Sequence, residues 1–214
     1  MFNFLSQNIA NLIVGFRIML IFVVLIFLSV DSFVFRFIAL NILLFAIFLD
    51  GFDGYIARKF DIESKVGGLL DTLGDRITEN CLIIYFSYMS LIPFWVAIFF
   101  VVRSMFADFI RSLNFYKGIG TFSVNTSTLG KMFVSSVASR VLYLILKMIL
   151  FVGASIILMY QSSFAPKVFF NLELLKDIIY KGAVLIAFIN ALRFALLTAD
   201  SKEILKENFM YEKD

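Results

Sequence analysis

The chain has 214 residues, of which 61% are hydrophobic and 16% charged, and its mean hydropathy is +0.94. Soluble domains contain about 45–50% apolar residues, so this composition excludes a soluble globular protein and indicates one compact membrane domain. The sequence has no histidine and one cysteine, Cys81, which excludes imidazole chemistry, an internal disulfide and a multi-cysteine metal site. The net charge of +3 is too small to indicate a nucleic-acid partner.

Hydrophobic stretches long enough to cross a bilayer follow one another along the chain, since a core of about 30 Å needs roughly 20 apolar residues per helix. The six stretches run approximately over residues 12–30, 32–58, 67–91, 94–116, 129–160 and 174–199. Asp31 and Ser32 would form a tight turn between the first two. The expected fold class is therefore all-α, an integral membrane bundle of six transmembrane helices over residues 1–200, followed by a charged cytoplasmic tail over residues 201–214.

The distribution of basic residues predicts the orientation of this bundle. Six spans place both termini on one side of the membrane. That side collects eight basic residues: Arg58, Lys59, Lys65, Lys117, Lys131, Lys202, Lys206 and Lys213. The opposite side has three, which are Arg36, Lys167 and Lys176. By the positive-inside rule, both termini face the cytoplasm in a multi-pass protein of the cell membrane.

Acidic residues concentrate where the second span ends and the third begins. Asp50 and Asp53 are separated by three positions and Asp71 and Asp75 by four, so each pair lies on one helix face. Ionisable groups within spans cost about 2.5–3.5 kcal/mol or more at the bilayer centre and persist mainly at wet cavities, metals or partners. Four converging carboxylates would repel one another, and one or two Mg²⁺ or Mn²⁺ ions would relieve that repulsion.

Small residues and cations accompany these carboxylates. Gly54 and Gly67 would let a ligand approach both helices, and Arg58 and Lys59 supply the positive charge that binds a phosphate beside a metal. The pattern therefore indicates a phosphorylated substrate. The alternative is that the acidic residues are helix-end carboxylates that pair with neighbouring Arg and Lys side chains.

The acidic pattern also matches a known motif. Over 26 residues the sequence has eight fixed identities: Asp50, Asp53, Gly54, Ala57, Arg58, Gly67, Asp71 and Asp75. This segment resembles the signature of the CDP-alcohol phosphatidyltransferase family. The six spans, the short first loop and the opening from Asn11 to Arg17 are also similar to that family. The resemblance implies a six-helix membrane bundle, commonly a homodimer, with a cytoplasm-facing site.

The resemblance further implies residue roles. Asp50, Asp53, Asp71 and Asp75 would hold two divalent ions, Mg²⁺ or Mn²⁺, and Asp75 would also be the catalytic base. The CDP-lipid would be bound by Gly54, Arg58, Ser64 and Gly67. In the implied reaction, the acceptor hydroxyl attacks the lipid-side phosphorus of a CDP-linked lipid such as CDP-diacylglycerol, and CMP leaves. Such chemistry needs positioning and charge neutralisation rather than histidine.

Basic residues of the fourth and fifth spans bear on the acceptor. Arg103, Ser104 and Asp108 to Arg111, followed by Gly130-Lys131, resemble the pattern of the phosphatidylglycerophosphate synthase branch, which implies glycerol 3-phosphate as acceptor. The residues that could bind its phosphate are Arg103, Arg111, Lys131 and Arg140. Thr72 and Arg76 depart from that branch, and the Asp75-Arg76 pair resembles the inositol-phosphate branch, so inositol phosphate, inositol and serine remain alternatives. The basic residues would otherwise snorkel to lipid headgroups or pair with Asp108 and Glu79.

Two functions of other classes compete with the transferase. A divalent-cation transporter would use carboxylates for ion passage, but it would need acidic residues through the full membrane depth, and here they stop near one interface. A catalytically silent scaffold would not need Asp75. The transferase hypothesis alone predicts metal-dependent release of CMP.

Overall fold

The computed structural model describes residues 2–59, 65–116, 127, 130–167 and 171–202, and its side-chain description covers 12–50, 67–110, 112–113, 127, 130–167 and 171–202. Over these residues the fold is all-helical. The α-helices are α1 (Phe2–Ser29), α2 (Phe33–Lys59), α3 (Lys65–Tyr88), α4 (Phe94–Tyr116), α5 (Val137–Gln161) and α6 (Leu172–Asp200). One π-helical turn, Lys131–Ser135, precedes α5.

Four helical segments are long and apolar enough to cross a membrane. They are Leu12–Ser29, Phe33–Asp50, Val137–Gln161 and Leu172–Asp200. These segments indicate an integral membrane protein. Helices α3 and α4 do not meet the same criterion within the described residues, so the predicted count of six spans stays a prediction.

The chain divides into two compact units, and both α5 and α6 contribute to each of them. The first unit contains Met1–Ile92 and Phe151–Ile179, and the second contains Pro93–Leu150 and Tyr180–Asp214. The predicted single domain over residues 1–200 stays a prediction. Each unit is described separately below.

In the first unit, α1 packs against both α2 and α3. Ile21, Val24 and Leu28 follow the helical spacing of a single face of α1 and are fully buried. Residues buried with them are Leu43 on α2 and Phe86 on α3. The tight turn predicted at Asp31 and Ser32 is present, because α1 ends at Ser29 and α2 begins at Phe33.

Arg36 and Asp31 join this turn to the end of α5. Arg36 is buried and donates to the carbonyls of Leu28 at 3.2 Å and Leu158 at 2.7 Å. Asp31 ion-pairs with Arg36 at 3.3 Å and accepts a 2.6 Å hydrogen bond from the Ser163 hydroxyl. The hydroxyl and backbone N–H of Ser163, together with Arg36, lower the pKa of Asp31. In the sequence, Arg36 is only one of three basic residues on the side opposite the termini. In the structure it links the turn between α1 and α2 to α5.

The second unit begins at Pro93, whose carbonyl accepts the Val96 N–H at 2.9 Å as α4 begins. Ala107 and Ile110 of α4 are buried with Leu197 of α6. The predicted span over residues 129–160 is wrong in one respect, since the helix is interrupted before it becomes α5. Ser136 is extended, with φ −62° and ψ 140°, and its hydroxyl accepts the Ser139 N–H at 3.2 Å. This hydrogen bond is that of a helix N-cap. The Ser136 hydroxyl therefore starts a new helix here, although the apolar stretch continues through this position.

Candidate active site

Three acidic side chains from two helices meet in the first unit. Asp50 lies on α2, and Asp71 and Asp75 lie one turn apart on α3. One carboxylate oxygen from each lies within 4.8 Å of the others. Their side chains are 31%, 50% and 51% exposed, so none of the three is enclosed by the protein. The structure therefore brings together three of the four predicted metal ligands; the side chain of Asp53 lies outside the described residues.

Arg17 enters this cluster from α1. Its side chain is only 2% exposed, and its Nη2 lies 3.2 Å from Asp71 Oδ1 and 3.0 Å from Asp75 Oδ1. Its Nη1 contacts Asp50 Oδ1. One guanidinium therefore reaches carboxylates of both α2 and α3. In the sequence, Arg17 stands out only as the last residue of the opening that is similar to the family. A cation inside the first apolar span is itself a signal of a buried partner.

Gly74 makes room for this guanidinium. It is buried on α3, between the two aspartates. A Cβ at this position would lie 2.9 Å from Arg17 Nη2 and 3.0 Å from Val14 Cγ1. The absence of a side chain therefore permits the close approach of α1 to α3. Gly54 and Gly67 stand out in the sequence, whereas Gly74 does not.

The three carboxylates fit a divalent cation. Hard cations such as Mg²⁺, Mn²⁺ and Ca²⁺ prefer oxygen ligands at about 2.0–2.6 Å, so two ligands of one ion lie at most about 5 Å apart. The three oxygens lie within 4.8 Å of one another, which is close to that limit. Arg17 neutralises one of the three negative charges, and a net charge of −2 remains on these four side chains. A dication would balance that remainder.

The predicted CDP-lipid residues fall largely outside this description. Gly54 and Arg58 belong to α2, where the backbone is helical and the side chains are not described. Ser64 lies outside the described residues. Gly67 lies near the start of α3 and is partly buried. These four assignments stay predictions.

Arg76, which follows Asp75, pairs within its own helix. Its Nη1 lies 3.1 Å from Glu79 Oε2, and Glu79 is buried. Burial of a carboxylate requires such a partner. The sequence alternative, in which Glu79 pairs with a basic residue of the fourth or fifth span, stays a prediction.

In the second unit, buried cations gather around Arg193 of α6. Arg193 donates to Ser139 Oγ at 2.7 Å and to the Val134 carbonyl at 3.3 Å, and it lies 5.1 Å from the ring centroid of Tyr143. Arg103 and Arg140 act on it electrostatically. Sequence reasoning missed Arg193, although an arginine within the last apolar span was again the available signal.

The predicted acceptor residues differ in their exposure. Arg103 on α4 is buried, Arg140 on α5 is partly buried, and Lys131 on the π-helical turn is exposed. The side chain of Arg111 lies outside the described residues. Arg103 and Arg140 thus share one electrostatic environment with Arg193.

Comparison with known proteins decides what kind of protein carries these clusters. The family model described as CDP-alcohol phosphatidyltransferase matches residues 7–170, which is most of the chain and includes α1 to α5. The chain belongs to the CDP-alcohol phosphatidyltransferase family. It is therefore an enzyme of this class, and the aspartate cluster lies within the residues that the family model matches.

Relatives of this CDP-alcohol phosphatidyltransferase carry several names. A protein from Rickettsia bellii named CDP-diacylglycerol–glycerol-3-phosphate 3-phosphatidyltransferase is 28% identical over 59% of this chain and 68% of its own length. One of the same name from Rickettsia felis is 30% identical over 37% of this chain and 44% of its own. A Candida albicans protein named CDP-diacylglycerol–inositol 3-phosphatidyltransferase is 44% identical over 22% of both chains.

Proposed function

We propose that this chain transfers a phosphatidyl group from CDP-diacylglycerol to the hydroxyl of glycerol 3-phosphate and releases CMP. The observation that carries the proposal is the convergence of Asp50, Asp71 and Asp75 in a chain of the CDP-alcohol phosphatidyltransferase family. The names of the Rickettsia relatives support glycerol 3-phosphate as the acceptor. The reaction is a step of phospholipid biosynthesis.

Two divalent ions, Mg²⁺ or Mn²⁺, would be held by Asp50, Asp53, Asp71 and Asp75. Oxygen atoms of three of these residues lie within 4.8 Å of one another, which supports a shared ion among them. When bound, the ions would supply charge neutralisation at the diphosphate. Arg58, one turn beyond Gly54, would bind diphosphate oxygens with its planar guanidinium. Ser64 and Gly67 would complete the CDP-lipid pocket.

Asp75 would act as the base that takes the proton from the acceptor hydroxyl. Its carboxylate is half-exposed, so the protein does not enclose it. Arg17 Nη2 lies 3.0 Å from its Oδ1 and holds the carboxylate beside Asp71. Because the proton moves to a carboxylate, the reaction needs no imidazole, in agreement with a chain that contains no histidine.

Basic residues would bind the phosphate of the acceptor, and the candidates are Arg103, Arg111, Lys131 and Arg140. Arg103 and Arg140 form a positively charged group with Arg193, which suits a doubly charged anion. Inositol phosphate is the second candidate acceptor, favoured by the Asp75-Arg76 pair, whereas the name of the Candida relative supports unphosphorylated inositol. Both acceptors carry a phosphate, so this basic group does not discriminate between them.

The proposed setting is the cell membrane, with six spans and with both termini and the site on the cytoplasmic side. The four apolar segments and the excess of basic residues on one side support this arrangement. A homodimer, the usual state implied by the family resemblance, is also proposed. Placing a cysteine at position 213 and testing its labelling in intact cells would test the location of the C-terminus.

The decisive experiment supplies purified protein with CDP-diacylglycerol, Mg²⁺ or Mn²⁺, and in turn glycerol 3-phosphate, inositol phosphate, inositol or serine. We expect metal-dependent CMP release with glycerol 3-phosphate and none after chelation. A divalent-cation transporter would instead carry Mn²⁺ into sealed vesicles without releasing CMP. Absence of CMP release with every acceptor would refute the proposed function.

Asp75→Asn tests the base directly. We expect CMP release to fall about 10²–10⁴-fold, which is the usual contribution of a general base, while Mn²⁺ still binds through the remaining carboxylates. Asp31→Asn is the matched control. It makes the same change at a carboxylate in the turn between α1 and α2, at the opposite end of this hairpin from Asp50, and should leave turnover unchanged. Parental turnover in Asp75→Asn would refute the assignment.

A further inference from the structure

Arg17 brings a permanent positive charge to the place where the proposed metal would bind. The guanidinium is 2% exposed, so it lies within the protein rather than at its surface. Arginine carries its positive charge on a planar guanidinium that matches carboxylates. The metal-free cluster thus contains its own cation.

The carboxylates that contact Arg17 are the three that form the candidate metal group. Oδ1 of Asp71 and Oδ1 of Asp75 accept from Nη2, and Oδ1 of Asp50 contacts Nη1. Each of these residues offers one oxygen to the candidate metal group. A divalent ion and the guanidinium would therefore engage the same carboxylates.

Resting on the proposed metal site, we propose that Arg17 is an internal counter-cation that competes with the divalent ion. In the metal-free protein it bridges α1 to α2 and α3 and relieves repulsion among three carboxylates. In the metal-loaded protein it repels the ion and weakens its binding. Arg17 is a positioning residue in this account, since it acts on the reaction through the aspartates.

The surroundings of Arg17 favour this role over incidental pairing. Gly74 leaves a space that a single added methyl group would close, because its Cβ would lie 2.9 Å from Nη2. Arg17 also lies 3.5 Å from the Asp71 carbonyl, which adds a backbone acceptor to the carboxylates. The guanidinium thus occupies a shaped niche on α3.

The experiment measures Mn²⁺ binding to purified protein without any lipid or nucleotide, by the loss of the free Mn²⁺ paramagnetic resonance signal. We expect Arg17→Met to bind Mn²⁺ at least about tenfold more tightly, a conservative fraction of the repulsion between a guanidinium and a dication a few ångströms apart at an effective dielectric constant of about 20. We also expect its melting temperature without metal to fall, and the deficit to shrink when Mn²⁺ saturates the site. Unchanged or weaker Mn²⁺ binding would overturn the inference.

Arg36→Met is the matched control. It removes another buried arginine of the same unit that contacts a carboxylate, Asp31, outside the metal group. We expect its melting temperature to fall equally with and without Mn²⁺, and its Mn²⁺ affinity to equal that of the parent. A gain in affinity equal to that of Arg17→Met would show a general effect of lost stability and overturn the inference.

Gly74→Ala and Arg17→Lys keep the test decisive if Arg17→Met does not fold. The alanine would displace the flexible end of Arg17 while retaining its charge in the chain, so we expect tighter Mn²⁺ binding than in the parent. Lysine retains the charge with fewer directed bonds, so we expect near-parental affinity. Reversal of this order would overturn the inference.

The failure of the proposed function and the failure of the role of Arg17 give different results. If the parent binds no Mn²⁺ and releases no CMP, the proposed function fails. If the parent does both and these variants bind Mn²⁺ as tightly as the parent, only the role of Arg17 fails.

Discussion

Gly153 of α5 provides a sharp test of the packing in the first unit. A Cβ at this position would lie 2.5 Å from Ile179 Cδ1 and 3.3 Å from its Cγ1. Carbon atoms in ordinary contact are about 3.5–4.0 Å apart, so Gly153→Ala would force Ile179 to move by about 1 Å. Ile179 is only 4% exposed, which leaves it little room for that movement.

The expected free-energy change combines two opposing effects. Overpacking costs about 1–3 kcal/mol, whereas alanine is better than glycine in a helix by about 0.8–1 kcal/mol. We therefore expect Gly153→Ala to lower the free energy of unfolding by about 1 kcal/mol. Gly182→Ala is the matched control, since no atom lies within 4 Å of its Cβ position and only the helix-propensity gain remains.

A double-mutant cycle assigns the effect to Ile179. Ile179→Val removes the Cδ1 methyl group and costs about 0.5–1.5 kcal/mol in the parent. In the Gly153→Ala background the same change removes the overlap, so we expect a favourable coupling of about 1–3 kcal/mol. Equilibrium unfolding in mixed micelles, followed by circular dichroism, measures all four proteins. Additive effects within about 0.3 kcal/mol would refute the packing argument.

Two further predictions concern charged groups outside the aspartate cluster. The folded state lowers the pKa of Asp31 below its ordinary value of 3.8. This carboxylate therefore stabilises the fold above that pH, and the contribution disappears as the pH falls through the folded-state pKa. In Asp31→Asn, the melting temperature should fall below that of the parent at pH 7, and the difference should vanish as the pH falls through that pKa; a constant difference would contradict this sign. Arg193→Met removes donors to Ser139 Oγ and the Val134 carbonyl, so the free energy of unfolding should fall by about 1–2 kcal/mol, whereas exposed Lys131→Met should change it by less than about 0.5 kcal/mol. Equal effects of both variants would contradict a structural role for Arg193.

The sequence predicts the elements whose signals are local. The tight turn at Asp31 and Ser32 follows from two apolar stretches separated by polar residues, and the pairing of Asp71 with Asp75 follows from helical spacing. Their approach to Asp50 was also predictable, because the acidic ends of consecutive antiparallel spans lie at similar depth. Such features need no knowledge of which helix packs against which.

Features that depend on helix packing escape the sequence. The insertion of Arg17 between Asp50 and Asp71 requires α1 to pack against both α2 and α3. Gly74 acquires a role only through the guanidinium that lies against it. The interruption before α5 also escapes a window of apolar residues, because a single hydroxyl at Ser136 sets the start of the helix.

The low hydropathy of α3 and its chemical role have one physical origin. It carries Asp71, Asp75, Arg76 and Glu79, and each charge at the bilayer centre would cost about 2.5–3.5 kcal/mol or more. The structure compensates two of them with Arg17 from α1 and pairs the other two with each other. Under the proposed six-span arrangement, α3 is tolerated in the membrane because these partners are present, and α1 is the helix that supplies the missing cation. Hydropathy counts the charges of α3 without their partners, so by hydropathy alone α3 does not qualify as a span. The charged residues that lower its hydropathy include the aspartates that would hold the proposed metal.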